Sequence, residues 1–169
     1  AKDDIRHYNY NVSFLQGDMR NIPFKKLDSI ICMHTSFGYF KDDSDNFAVL
    51  KNIYGSLKKG GKFLLEQRNI YSERGRKNID ESFLIADIKI RFIKQSLIDT
   101  HKGIWSGAYI YININSPLKS KQIYIFSIKM YRLEILMEML CKAGFSSKHI
   151  KAFSDFEGSV LDEKIKIQL

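Results

Sequence analysis

The sequence lacks the numerous cysteines and prolines and the long apolar runs that are typical of disulfide frameworks, flexible linkers and membrane spans. It has two cysteines and two prolines among 169 residues, and no apolar run approaches the roughly 18 residues that cross a bilayer. Cys32 and Cys141 lie inside apolar segments and belong to no ligand-like cluster, so we interpret both as reduced core residues of a cytoplasmic protein. The histidines are scattered without metal-ligand spacing, and no metal site is predicted. Residues 1–4 contain no apolar stretch typical of a signal peptide.

The net charge of +8 arises from 27 basic and 19 acidic residues. Such an excess can serve a nucleic-acid partner. The basic residues are spread along the whole chain and form no block of like charge. A solvated, lysine-rich surface is therefore the preferred interpretation, and neither a nucleic-acid nor a membrane partner is expected. The length suggests one domain, with or without a small subdomain.

The first part of the chain has the pattern of an α/β layer. Short apolar runs predict strands at residues 12–16, 28–33 and 62–66, and continuous runs are typical of parallel strands covered on both faces. Acidic residues from Asp42 begin a helix over 44–58, which Gly60-Gly61 ends. The order strand, strand, helix, strand predicts a parallel sheet with the helix as crossover.

The middle of the chain changes to a period of two. Apolar and polar residues alternate over 88–92, 109–114 and 123–130, which predicts antiparallel strands with one exposed face. A helix with a buried leucine stripe follows from Leu133 and stops at Gly144. Two further strands are expected at 149–153 and 164–169.

Four segments, in this order, carry a resemblance to a known family. They are Gly17 to Arg20 after a predicted strand, Asp28 to Phe40, Leu57 to Glu66, and Met130 to Phe145. Together they resemble class I S-adenosylmethionine-dependent methyltransferases of the small-molecule type with a β-sheet insertion.

The resemblance implies a mixed α/β fold. A Rossmann-like methyltransferase core, residues 1–81 and 131–169, would carry an antiparallel β insertion over 82–130 that covers the substrate. One minor departure is Lys59, which stands where a proline is usual in the family.

A larger departure concerns the family's glycine-rich loop and the acidic residue that holds the cofactor ribose. Neither is found in these 169 residues, and the implied sheet is partial because it lacks its first two strands. A strand-helix-strand unit needs about 30 residues. We therefore expect a missing N-terminal segment, supplied by upstream sequence, by another polypeptide or by a second copy of the chain.

The resemblance also implies roles for particular residues toward S-adenosylmethionine. Asp18 and Met19, beyond the end of a strand, would bind the adenine, although Asp18 can equally be a turn residue that caps its neighbours. Met33 and His34 would face the methionine part of the cofactor. His34 is either a general base or a packing residue.

Further residues are candidates for substrate binding. Tyr39 either bonds the substrate or roofs the pocket, and Arg68 and Asn69 follow a strand end near it. Trp105 and the tyrosines after it can stack on a ligand, but aromatic residues in strands more often pack.

The implied reaction moves a methyl group from the sulfonium of S-adenosylmethionine to nitrogen or oxygen of a small molecule. Alignment and desolvation are then the protein's main tasks. The alternative is a non-catalytic remnant or subunit that keeps this part of the fold as a binding or assembly module.

Overall fold

The computed structural model describes residues 12–69, 78–85, 87–115, 120–155, 157 and 159. In these ranges the chain forms a parallel and an antiparallel sheet, two α-helices and a short 3-10 helix. This mixed α/β architecture confirms the predicted fold class. None of the helices in these ranges is both long and apolar enough to cross a bilayer. The elements are β1 (Leu27–Cys32), α1 (Asp43–Ser56), β2 (Leu57–Leu65), β3 (Ile79–Ile85), β4 (Ile88–Asp99), β5 (Ile104–Asn113), β6 (Lys121–Lys129), α2 (Leu133–Ala143) and the 3-10 helix Ser147–His149.

The strands β1 and β2 run parallel, with α1 as the crossover between them, as predicted. Ile30 lies opposite Phe63 and Cys32 opposite Leu65, and these side chains contribute to the core beneath the two α-helices. The opposite face carries Ile31, which is 62% exposed. Within the described residues only one face of β1 is therefore covered.

The junction between α1 and β2 differs from the predicted one. The helix ends at Ser56 and Leu57 already begins the strand, so Gly60 and Gly61 do not end the helix. The pairing register shifts within β2, and Gly60 there takes a φ of +80°. These glycines serve a bulge rather than a helix cap, because a left-handed backbone is costly for other residues.

The main core forms where α1 and α2 pack on the parallel sheet. Leu50, Ile53 and Phe37 are at most 1% exposed, and burying a side chain of this size contributes about 1.5–3 kcal/mol. Asn46 is also fully buried, and its amide nitrogen donates to the carbonyl oxygen of Phe40 at 2.8 Å. This amide fixes the segment after β1 against the first turn of α1.

The strands β3 to β6 form an antiparallel sheet in chain order, which confirms the prediction from the period of two. Alternate residues share a face. On one face the Tyr109 ring contacts the rings of Phe92 and Phe126, with centroids 5.9 and 4.9 Å away. The other face includes Ile125, which is 85% exposed.

The helix α2 ends as predicted. Gly144 has a φ of +121°, and the N–H of Phe145 donates to the carbonyl oxygen of Leu140 at 3.1 Å, which is a Schellman motif. The Phe145 ring then packs against Tyr54 and Phe63 at 5.0 and 5.8 Å. The end of α2 is thereby joined to α1 and β2.

Three expectations about individual segments are wrong. Residues 12–16 are irregular, and Leu15 is 63% exposed, because no other strand pairs with them in the described chain. The expected strand at 149–153 has only a single bridge at Phe153 and begins at the 3-10 helix. Cys141 is exposed, whereas Cys32 is buried and its burial raises the pKa of the thiol. The strand expected at 164–169 lies outside the described residues.

Candidate functional site at the ends of the parallel strands

The carboxyl ends of β1 and β2 are joined through Glu66. Its backbone N–H donates to the carbonyl oxygen of Cys32 at 2.8 Å, and its carboxylate accepts a hydrogen bond from the backbone N–H of His34. His34 and Thr35 have φ values of 55° and 58°. Two consecutive non-glycine residues in this region store about 1–3 kcal/mol each. Glu66 therefore holds a strained turn in place where ligands bind in open α/β sheets.

The same turn buries an unpartnered hydroxyl. Thr35 is 3% exposed, and its Oγ1 has no hydrogen-bond partner within the described residues. The neighbouring hydroxyl of Ser36 instead donates to the carbonyl oxygen of Met33 at 2.5 Å. Burying an unpaired hydroxyl costs about 1–3 kcal/mol, so this turn keeps a polar group that a bound molecule or water can satisfy.

Asp18 lies in a turn that its own carboxylate stabilises. The carboxylate accepts hydrogen bonds from the backbone N–H of Arg20 at 2.8 Å and from its guanidinium at 2.6 Å. These bonds hold the pKa of the Asp18 carboxyl below its usual range. The turn-capping role considered for Asp18 is thus present, and the side chain stays 44% exposed.

Arg20 ties this turn to the helix α1. Its guanidinium pairs with Asp45 at 3.1 Å and lies 4.4 Å from the ring centroid of Phe40, while its carbonyl oxygen accepts a bond from the Asn52 amide. Sequence reasoning missed Arg20 as the residue that positions Asp18. The position of Arg20 two residues after Asp18 was the sequence signal that could have identified this pairing.

The other predicted site residues differ in burial. Met19 packs partly buried against the main core, and Met33 is half-buried at the end of β1. His34 is exposed, and Tyr39 is 56% exposed. The structure therefore places His34 against Glu66, with Met33 next to it in the chain, while Tyr39 lies farther along the same loop.

Arg68 and Asn69 follow β2 and line a large groove. This cavity of about 1670 Å³ is lined by β2, α2 and residues 149–155. Its lining includes Arg68 and Asn69 but not Asp18, His34 or Tyr39. Of the predicted substrate residues, Arg68 and Asn69 therefore line the groove, whereas Tyr39 lies in the loop after β1.

A second joint, missed by sequence reasoning, connects this loop to the antiparallel sheet. The N–H of Lys129 donates to the carbonyl oxygen of Gly38 at 2.7 Å, and its carbonyl oxygen accepts from the Gln67 amide at 3.1 Å. The Lys129 ammonium pairs with Asp43 at 2.6 Å, which also accepts from the Tyr131 hydroxyl at 2.7 Å. We call these five residues the β6 anchor.

The β6 anchor predicts a dependence of stability on acid. Hydrogen bonds from Lys129 and Tyr131 hold the pKa of Asp43 below its ordinary value of 3.8. A lowered folded-state pKa stabilises above the unfolded value, and this contribution is lost as pH falls through the folded pKa. Asp43→Asn should therefore be less stable than the wild type at pH 7, and the difference should shrink toward pH 3. Urea unfolding across this range measures it.

Asp42→Asn is the control for this experiment. Asp42 precedes the helix and makes no side-chain hydrogen bond at its end, so its replacement should leave the acid dependence unchanged. A constant difference between Asp43→Asn and wild type at all pH values would contradict the role of the Asp43 charge.

One family model matches part of this chain. A family model described as a methyltransferase domain matches residues 1–61, which include the Asp18 turn and the loop after β1. A search of curated protein sequences gave no significant match.

Three solved structures with a similar fold are distant from this chain in sequence. An S-adenosylmethionine-dependent methyltransferase from Clostridium acetobutylicum is 18% identical with a TM-score of 0.62, over 84% of this chain and 57% of that one. The amino pentose methyltransferase CalS10 from Micromonospora echinaspora, with bound S-adenosylmethionine, is 16% identical with a TM-score of 0.64, over 92% and 65%. The sugar N-methyltransferase KedS8 from Streptoalloteichus is 13% identical with a TM-score of 0.64, over 76% and 52%. The chain thus spans between half and two thirds of the length of these proteins.

Proposed function

We propose that this chain is part of a class I S-adenosylmethionine-dependent methyltransferase and that it takes part in methyl transfer to nitrogen or oxygen of a small molecule. The observation that carries the proposal is the overlap of the matched residues 1–61 with the strained turn at the end of β1. Strain of this kind clusters at ligand sites.

The residues at the strand ends fit the cofactor. The exposed Asp18 carboxylate can accept a hydrogen bond from the adenine amino group, beside the backbone of Met19. Met33 and His34 would line the methionine part, close to the unpartnered Thr35 hydroxyl. When bound, S-adenosylmethionine supplies an activated methyl group on a positive sulfur, so the chain's own task is to orient the acceptor and to exclude water.

Acceptor activation would involve the loop after β1. The exposed imidazole of His34 can remove a proton from an amine or a hydroxyl, and the Tyr39 hydroxyl can orient that group. Arg68 and Asn69 would contact the rest of the acceptor. The similar structures include a sugar N-methyltransferase and an amino pentose methyltransferase, which favours an amine as the nucleophile.

The proposal assigns cofactor binding and acceptor binding to different parts of the chain. Residues 1–81 and 131–169 would form the core that binds the cofactor, and residues 82–130 the lid over the acceptor. The aromatic face of the antiparallel sheet and its attachment to Gly38 through the β6 anchor support this division.

Cofactor binding would also need a partner segment. The glycine-rich loop is not found in these 169 residues, and Ile31 and Leu64 are 62% and 47% exposed on one face of the parallel sheet. We propose that further polypeptide, from the same protein or from a second copy, covers this face and completes the site.

Asp18→Ala tests the cofactor site directly. We expect the affinity of the native protein for S-adenosylmethionine to fall by about tenfold or more, because a buried adenine donor would lose its acceptor. Calorimetric titration of both proteins measures the change. The Michaelis constant for the acceptor should change much less.

Asp28→Ala is the matched control. Asp28 is also exposed and paired with a basic residue, Lys58, but it lies near the start of β1, away from the strand ends. Its replacement should leave cofactor affinity unchanged. Equal affinities for wild type and Asp18→Ala would leave Asp18 as a turn residue only, and no cofactor binding by the native protein would favour the non-catalytic module.

A further inference from the structure

The antiparallel sheet contains a buried indole with an unused donor. Trp105, the only tryptophan of the chain, is 3% exposed on β5. Its Nε1–H has no hydrogen-bond partner within the described ranges. Buried indole donors usually find an acceptor, so this one indicates that an acceptor comes from outside the described chain.

Two cations lie against the same ring. The Lys94 ammonium is 5.0 Å from the Trp105 ring centroid and 5.9 Å from that of Tyr109. The Arg68 guanidinium is also 5.0 Å from the Trp105 centroid. All three distances are within the range of cation–π attraction. We call Arg68, Lys94 and Trp105 the Trp105 cluster.

Lys94 is unusual for a lysine because it is only 7% exposed. Lysine is almost never so buried unless it is paired, and here its ammonium lies against the two aromatic rings. All three members of the Trp105 cluster donate hydrogen bonds and none can accept them, so the cluster combines two positive charges with a buried neutral donor. Donors of this kind are complementary to an oxyanion.

The Trp105 cluster lies beside the proposed reaction site. Arg68 is two residues beyond Glu66, whose carboxylate binds the N–H of His34. Lys94 and Trp105 come from the aromatic face of the antiparallel sheet, where Tyr109 stacks on Phe126 at 4.9 Å. A molecule held here would therefore contact both the loop after β2 and the proposed lid.

We propose that the Trp105 cluster binds an anionic group of the methyl acceptor, either a carboxylate or a phosphate. This inference rests on the proposed methyl transfer, since it assigns the acceptor's class. The acceptor would carry its nucleophile toward His34 and its anion toward Lys94 and Trp105.

Tryptophan fluorescence provides the test, because Trp105 is the only tryptophan in these 169 residues. The native protein is titrated with inorganic phosphate and, separately, with acetate, at constant ionic strength set by sodium chloride. We expect a saturable change in emission with at least one of them, and the more effective anion identifies the group. Calorimetry on the same samples gives the affinity independently.

Variants then assign the binding to the cluster. Lys94→Met should weaken anion binding by about tenfold or more, as expected for loss of a charge-assisted bond, while Lys94→Arg should retain most of it. Lys89→Met is the matched control, because Lys89 lies on the same strand but on the opposite, exposed face. Circular dichroism verifies that each variant is folded.

Two results would overturn the inference. One is the absence of saturable binding of either anion to the wild type, and the other is equal weakening by Lys94→Met and Lys89→Met. Titration with S-adenosylmethionine in the same experiment separates the two proposals. Cofactor binding without anion binding refutes only the anion subsite. Anion binding without cofactor binding refutes the methyl transfer and, with it, the assignment of the anion to a methyl acceptor.

Discussion

Replacing Gly38 with alanine is expected to destabilise the protein by about 2–5 kcal/mol, from backbone strain and overpacking together. Gly38 has a φ of +98°, and a Cβ there would lie 2.1 Å from the carbonyl oxygen of Lys129. The clash would be with a main-chain oxygen, and the backbones of the two residues are held together by a 2.7 Å hydrogen bond. The clash cannot be relieved by rotating a side chain. Urea unfolding of the variant measures the loss.

Gly55→Ala is the control for this substitution. Gly55 lies within α1, and a Cβ there meets no atom within 4 Å. Alanine is favoured over glycine inside helices by about 0.5–1 kcal/mol, so this variant should be slightly more stable than wild type. A Gly38→Ala protein with wild-type stability would mean that β6 does not depend on its close contact with the loop after β1.

The sequence predicts those parts of the fold that depend on local periodicity. The helical spacing of Leu50 and Ile53 identifies α1, and both become core residues. The alternation around Tyr109 identifies the antiparallel sheet, because a period of two places alternate residues on opposite faces. The glycine at 144 identifies the end of α2, since a left-handed cap is a local requirement.

Predictions failed where the outcome depends on a distant partner. The apolar residues at 12–16 have the composition of a strand, but a strand requires another strand to satisfy its backbone groups. Gly60 and Gly61 follow helical residues and suggest a cap, yet pairing between Leu57 and β1 ends the helix earlier. In each case tertiary contacts override local propensity.

The candidate site was predictable in its position but not in its internal contacts. Asp18 and His34 follow predicted strands, and the strand ends of a parallel sheet are its usual ligand edge. The contact of Gly38 with Lys129 joins residues far apart in the chain, and no local sequence pattern predicts it. Trp105 was interpreted as a packing residue, and only the structure reveals its unpartnered N–H beside two cations. The cytoplasmic location inferred from the few cysteines stays a prediction.

Removing the Glu66 carboxylate is expected to reduce the proposed methyl transfer strongly. A Glu66 carboxylate oxygen accepts a hydrogen bond from the backbone N–H of His34. This bond stabilises the left-handed backbone of His34 and Thr35. In Glu66→Ala the turn can relax, because this left-handed conformation costs a residue other than glycine about 1–2 kcal/mol. Misplacement of a reacting group by about 1 Å can cost about 100-fold in rate, so we expect kcat to fall by about 10- to 100-fold.

Glu66→Gln distinguishes the hydrogen bond from the charge. The glutamine amide retains a carbonyl oxygen that can accept from the His34 N–H, so this variant should keep most of the wild-type kcat. Amide hydrogen exchange at His34 gives a readout independent of the reaction, and it should be faster in Glu66→Ala but not in Glu66→Gln. If both variants lose activity equally while His34 exchange stays slow, the Glu66 charge acts directly on the reactants and the turn is held by its other contacts. Unchanged kcat and unchanged exchange in Glu66→Ala would remove Glu66 from the site altogether.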